Sequence, residues 1–291
     1  MQTLDENTRK TILGFQKNEI TEHFIYKKLS RSQKSEHNRV VLQKISEDEL
    51  RHYNVWKKYT AEEIKPDKFK ILLYWAISKI FGLMFAIKLM ESGEDRAQDS
   101  YEKVVNIIPE AGKIKDEEFG HENELINMID EERLKYIGSV VLGLNDALVE
   151  LTGTLAGLTF ALQNAKLTGM AGLITGIAAS LSMAASEYLS TKSEGGEKNP
   201  LKASFYTGMA YVLVVSVLIL PYLLLQNYFL CLGLALTGGI ILIFIFTFYF
   251  SVVREISFRA RFAEMAAISL GVAALSFVIG LAVRTFLGVE V

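Results

Sequence analysis

The chain has 291 residues, half of them apolar, with a formal net charge of −2 and one cysteine. Near-neutrality removes the electrostatic footprint of nucleic-acid binding, and a lone Cys231 in an apolar stretch leaves neither an internal disulfide nor a thiolate metal cluster. The average conceals a division near Tyr136: residues 1–136 hold 25 acids, 23 bases and all four histidines, whereas 137–291 hold 8 and 8, so a soluble domain is expected to precede a membrane domain.

In chain order, Met1–Lys10 is polar and lacks an apolar core, so no cleavable signal peptide is expected. Asp5–Arg31, Ser35–Ala61, Leu89–Ile108 and Ala111–Tyr136 are rich in helix formers, with breaks near Ser30–Ser32 and at Pro109, and predict four helices. The second and fourth carry Glu49-x-x-His52 and Glu118-x-x-His121. The first and third carry Glu19 with Tyr26 and Glu94 with Tyr101, each pair seven residues apart, a weak duplication of helix pairs. An i, i+3 spacing places carboxylate and imidazole on one helix face. Two such pairs with two bridging glutamates make the donor set of a di-metal helical bundle, against the plainer reading of solvated helix charge.

This half resembles the rubrerythrin branch of the ferritin-like family, which folds as a four-helix bundle around two irons. The resemblance implies Glu19, Glu49, His52, Glu94, Glu118 and His121 as di-iron ligands, and Tyr26 and Tyr101 as tyrosines behind them. Glu22 and Glu91 lie one turn from favoured ligands and are candidate auxiliary carboxylates, Glu22 being the more readily a solvent-facing charge. His23 and His37 have no glutamate at this spacing and are expected at the surface. The rubredoxin-type cysteine cluster of that branch is missing, which removes an attached iron–sulfur electron donor.

Between the second and third helices, Phe69–Met90 approaches the length and apolarity of a membrane span. Crossing would put the first two helices on the opposite side from the last two, so the six ligands could not converge. Lys68, Lys70, Lys79 and Lys88 instead suit a helix at the headgroup boundary or between protomers.

Five apolar runs follow, each long enough for ~30 Å of hydrocarbon: Ile137–Leu162, Thr168–Leu189, Ala203–Leu225, Tyr228–Val253 and Met265–Leu287. Lysine and arginine concentrate in the second and fourth connections, so the N-terminal domain is expected in the cytoplasm and the C-terminus outside. Gly153-x-x-x-Gly157 and Gly172-x-x-x-Gly176 suit close helix packing. Asp146, Glu150 and Glu187 are acids inside apolar helices, each costing roughly 2.5–3.5 kcal/mol there and so retained for a pathway or a partner. Met183 lies one turn before Glu187 on the same face, and thioether with carboxylate suits a soft divalent cation, although methionine in a membrane helix is more often packing.

Leu144-Asn145-Asp146-Ala147-Leu148-Val149 in the first run and Ser182-Met183-Ala184-Ala185-Ser186-Glu187-Tyr188 in the second resemble the vacuolar iron transporter family, five-helix exchangers of divalent metals for protons that work as homodimers. The resemblance implies that Asp146 and Met183 line the translocation path and that Glu187 serves its cytoplasmic side; Glu150, one turn from Asp146, is assigned to the same path. Two departures stand out. The Glu-rich cytoplasmic insert of plant and parasite members is replaced by the short Ser190–Lys202, and the acids ahead of the first-helix aspartate are replaced by Lys135 and Ser139. Cation capture would then fall to the soluble domain.

The expected protein is all-α: a cytoplasmic ferritin-like domain over 1–136, with an interfacial helix at about 69–90, joined to a five-helix membrane domain over 137–291. Its expected function is export of Fe2+, or of Mn2+ or Zn2+, from the cytoplasm by proton antiport in a homodimer held in the lipid bilayer. Known fusions of these two families have a similar arrangement. The alternative is a membrane-anchored di-iron oxidase or peroxidase, with ferroxidase turnover at the bundle.

Overall fold

A computed structural model describes residues 5–94, 104–105, 107–128, 135–196 and 198–287, excluding the side chains of 92–94, 122–123, 126–128 and 287. The described residues form ten helices and no strand: α1 (Glu6–Ser30), α2 (Glu36–Thr60), α3 (Lys68–Phe81), α4 (Leu83–Glu94), α5 (Glu110–Met128), α6 (Ile137–Leu162), α7 (Ala165–Glu194), α8 (Pro200–Leu224), α9 (Tyr228–Arg254) and α10 (Phe258–Leu287). The chain divides into two compact units, Met1–Glu131 and Glu132–Val291.

In the first unit, short polar side chains start the helices. Asp5 accepts from the Thr8 amide at 2.9 Å, Ser35 caps α2, and Asp67 accepts from the amides of Phe69 and Lys70 at 3.0 and 3.1 Å, satisfying donors that a helix start leaves open. α1 and α2 run antiparallel, with Phe15 against Trp56 at 5.5 Å between ring centroids. Ile12, Phe15 and Trp56 join Val104, Ile108, Ala111 and Ile114 in one buried cluster. The segment after α2 is pinned across both helices: Gln16 donates to the Glu62 carbonyl at 2.8 Å, the Ile64 amide donates to the Tyr53 hydroxyl at 3.2 Å, and the Asp67 amide donates to the Thr21 hydroxyl at 3.0 Å.

The apolar run Phe69–Met90, expected as one helix, is two. Gly82 separates α3 from α4 with φ 98°, a conformation that glycine adopts without steric cost. The halves have different fates. α3 has no buried residue, whereas Leu83, Met84, Phe85, Ala86, Ile87 and Met90 of α4 are all buried. The reading of the whole run as an interfacial helix therefore fails for its second half, whose apolar side chains have core to fill.

The second unit has five helices of 25 to 30 residues, all long and apolar enough to cross a membrane, as befits an integral membrane protein. Asn164, Asn199 and Asn227 cap α7, α8 and α9. α7 continues to Glu194, into the first part of the segment expected as a connection. α6 is the most buried span and packs on all four others. Its glycines allow this: a methyl group on Gly143 would stand 2.4 Å from the Thr207 carbonyl oxygen of α8, and one on Gly280 of α10 would stand 2.2 Å from that of Gly157. Gly153 faces Val272, while Gly172 and Gly176 meet Leu155, Leu151 and Val215. Both glycine motifs thus serve packing. Leu144, Leu148, Leu151, Tyr211, Val214 and Leu218 anchor the core, while Ile174, Leu181, Leu224 and Phe229 stay exposed, as lipid-facing side chains do.

Candidate metal centre and intramembrane acids

In the first unit, one ligand atom from each of Glu19, Glu49, His52 and Glu118 lies within 4.8 Å of the others. α1 supplies Glu19, α2 supplies Glu49 and His52, and α5 supplies Glu118 and His121. His52 Nδ1 faces Glu118 Oε1 at 2.9 Å, with Glu19 and Glu49 each at 3.6 Å. His121 Nδ1 lies 3.3 Å from Glu49 Oε1 and 3.5 Å from Glu118 Oε2. The two imidazoles stack at 5.8 Å between centroids. Glu19 is further fixed by the indole of Trp56, which donates to its Oε1 at 2.9 Å.

Each imidazole turns its other nitrogen to an acid on the opposite helix. His52 Nε2 meets Glu117 Oε2 at 2.9 Å, and His121 Nε2 meets Asp48 Oδ2 at 3.1 Å. Arg51 joins the two acids, at 2.6 Å from Asp48 and 2.9 Å from Glu117. Outer carboxylates of this kind orient a ligating histidine and raise its basicity. A sequence signal for them existed, since an acid immediately precedes the glutamate of each Glu-x-x-His, but adjacent acids also suit a solvated surface.

Burial and the crowding of carboxylates with imidazoles set the electrostatics. Burial holds the Glu19 carboxyl well above its usual range, with Glu118 and Glu49 adding repulsion against the bond to His52. Burial opposes the charge on His121, but the nearby Glu118 and Glu49 carboxylates win and raise it to about 10. His52 is raised too, because Glu118, Glu19 and Glu49 outweigh its burial. Burial works against the Glu118 carboxylate, yet His121 and His52 pull it down to about 2. Two imidazolium charges thus balance the crowded carboxylates. Among the described residues, Glu49 Oε2 and His121 Nδ1 accept or donate no hydrogen bond although both are buried. Carboxylate and imidazole donors aimed at one point, two of them lacking hydrogen bonds, fit a hard or borderline divalent ion.

Five of the six expected ligands converge. The side chain of Glu94 and all of Tyr101 lie outside the described residues. Tyr26 is buried, while Glu22 and Glu91 are half-buried. His37 is exposed as expected, but His23 is not at the surface: it is 5 % exposed, with Nδ1 2.6 Å from the Ser46 carbonyl oxygen. Its partner lies on the neighbouring helix, where spacing along α1 gives no hint of it.

In the second unit, two of the three acids are each held by one hydroxyl group. Ser139 donates to Glu187 Oε1 at 2.5 Å, and the fully buried Tyr211 donates to Glu150 Oε2 at 2.5 Å. Asp146 is half-buried one turn from Glu150, and Met183 packs at the edge of the α6–α8 core. Tyr211, on α8, was not predicted; a tyrosine in an apolar run carries no mark of its partner.

Comparison with curated proteins finds no match to this chain. Residues 137–196, which span α6, α7 and both motifs of the intramembrane acids, match the VIT family. That match, with five membrane-length helices, points to a membrane metal transporter.

Proposed function

We propose that the chain exports Fe2+, with Mn2+ as the nearest competitor, from the cytoplasm by proton antiport, working as a homodimer whose first unit is a ferritin-like di-metal bundle that captures or senses the ion. The observation that carries this reading is the coincidence in one chain of a VIT match over 137–196 with five converging carboxylate and imidazole side chains. A cytoplasmic first unit is supported by the lysines and arginines of the second and fourth membrane connections.

In the bundle, Glu19, Glu49, His52, Glu118 and His121 would hold the ions, with Glu94 completing the set. Bound iron supplies Lewis acidity and access to a second oxidation state. The chain itself supplies burial, which strengthens the attraction for a cation, and the Asp48 and Glu117 carboxylates, which hold each imidazole with Nδ1 inward. Ion and proton compete for the same nitrogens, so loading releases protons.

Along the membrane path, Asp146, Glu150 and Glu187 provide successive negative charges and Met183 a soft donor that favours transition metals over Mg2+ or Ca2+. A carboxylate held by one hydroxyl exchanges that bond for a cation at modest cost, and a proton arriving from the far side discharges it. The ion is substrate here, bound weakly enough to leave.

The test is Fe2+ flux into proteoliposomes under a pH gradient. Asp146→Ala is expected to abolish flux and Glu49→Ala/Glu118→Ala to weaken it. Parent-like flux in Asp146→Ala would refute the path. Oxygen consumption scaling with Fe2+ without any flux would instead make the bundle an oxidase and the second unit its anchor.

A further inference from the structure

We propose that α3 is a membrane-surface helix, lying in the headgroup layer of an anionic bilayer with one apolar stripe immersed and three lysines at its margins. At 3.6 residues per turn, Phe69, Leu72, Leu73, Ala76 and Ile80 fall on a single face. That face is open at its four large side chains, with only the small Ala76 half-buried: Phe69 is 73 % exposed, Leu72 54 %, Leu73 41 % and Ile80 69 %. The opposite face, with Ile71, Tyr74 and Ser78, is half-buried, and α3 packs on α1, where the Lys28 ammonium sits 4.7 Å from the Trp75 ring centroid. The stripe therefore points away from α1.

Four observations choose lipid as the occupant. Fourteen residues make a helix of about 21 Å, too short for ~30 Å of hydrocarbon but suited to lying flat. Lys70 stands about 100° from the stripe centre on one side and Lys68 and Lys79 on the other, so all three ammonium groups can reach phosphates while their stems cover apolar surface. α3 has no acidic residue, so nothing on it repels an anionic headgroup. The same chain carries five membrane-length helices, which keep a bilayer within tether range. A helix too weak to bind lipid alone then binds because it cannot diffuse away.

Gly82 makes this possible. The break lets α3 present its apolar side outward while Leu83–Met90 turn into the core, so one hydrophobic run serves two solvents.

The experiment uses the full chain in Cys231→Ser background, reconstituted in vesicles of phosphatidylcholine with or without phosphatidylglycerol. Leu72→Cys and Ile80→Cys are labelled with an environment-sensitive fluorophore, and Val40→Cys on α2, at a position 56 % exposed, is the control. Nitroxide on the lipid acyl chain is expected to quench the labels at Leu72 and Ile80 but not at Val40, more strongly with phosphatidylglycerol present. Lys68→Glu/Lys70→Glu/Lys79→Glu is expected to remove that lipid dependence. Aqueous emission at Leu72 and Ile80, matching Val40, overturns the proposal. So does apolar emission that nitroxide lipid leaves unquenched and that spin-labelled second copies of the chain quench, since a partner protomer then covers the stripe. Quenching unchanged by the triple charge reversal overturns the role given to the lysines.

Discussion

The two units place carboxylates in opposite ways. In the first, Glu19, Glu49 and Glu118 crowd one buried point with two imidazoles, whose positive charge favours the Glu118 carboxylate. In the second, Glu150 and Glu187 stand apart, each answered by one neutral hydroxyl, from Tyr211 and Ser139. Crowded, charge-balanced donors hold an ion; separated donors with a weak partner let one pass. Residence and passage thus call for different geometry from the same side chain.

The largest expected effect separates these roles. Glu49→Gln/Glu118→Gln should weaken Mn2+ or Fe2+ binding, measured by titration of the purified chain, by roughly 100-fold or more, about 2.7 kcal/mol. Flux at saturating ion should fall only severalfold; equal loss of both would merge the two sites into one.

Next come the outer acids. Asp48→Asn with Glu117→Gln keeps shape but removes the charge behind each histidine, and should cost roughly 10- to 100-fold in affinity. Unchanged affinity would reduce Asp48, Glu117 and Arg51 to surface ion pairs. On the other side of the comparison, Tyr211→Phe leaves Glu150 without its donor. A hydrogen bond to a charged group is worth about 1.5–3 kcal/mol; Glu150 is exposed, which favours the lower end, so flux should change by roughly tenfold while ion binding by the bundle stays at the parental value.

The smallest effect is in the metal-free state. His121 is raised to about 10 from an ordinary 6.5, so its contribution to stability is complete below pH 6.5 and is lost as pH rises through about 10. Glu118 is lowered to about 2 from 4.5, so its contribution is complete above pH 4.5 and is lost as pH falls through about 2. Both tryptophans, Trp56 and Trp75, lie in the first unit, so their emission follows its unfolding without interference from the second. The stability gap between parent and His121→Gln should shrink between pH 6.5 and 10; a gap that widens there would reverse the assigned charge.

What the sequence disclosed follows from where each partner lies. The Glu-x-x-His pairs were legible because both donors share one helix face, and the five spans because hydrocarbon demands a fixed length of apolar chain. The caps at Asp5, Ser35 and Asn227 sit beside the donors they satisfy. His23 with Ser46, and Tyr211 with Glu150, were hidden because each bond joins separate helices and neither residue type is unusual in its local pattern. Gly82 was hidden for another reason: a glycine in an apolar run interrupts a helix only when the two halves have different surfaces to cover.

The crossed histidine contacts tie two events together. Because His52 on α2 is held by Glu117 of α5, and His121 on α5 by Asp48 of α2, no separation of these helices can loosen one imidazole and spare the other. The centre therefore opens as a unit. Any ligand that depended on one imidazole would therefore feel the displacement of both.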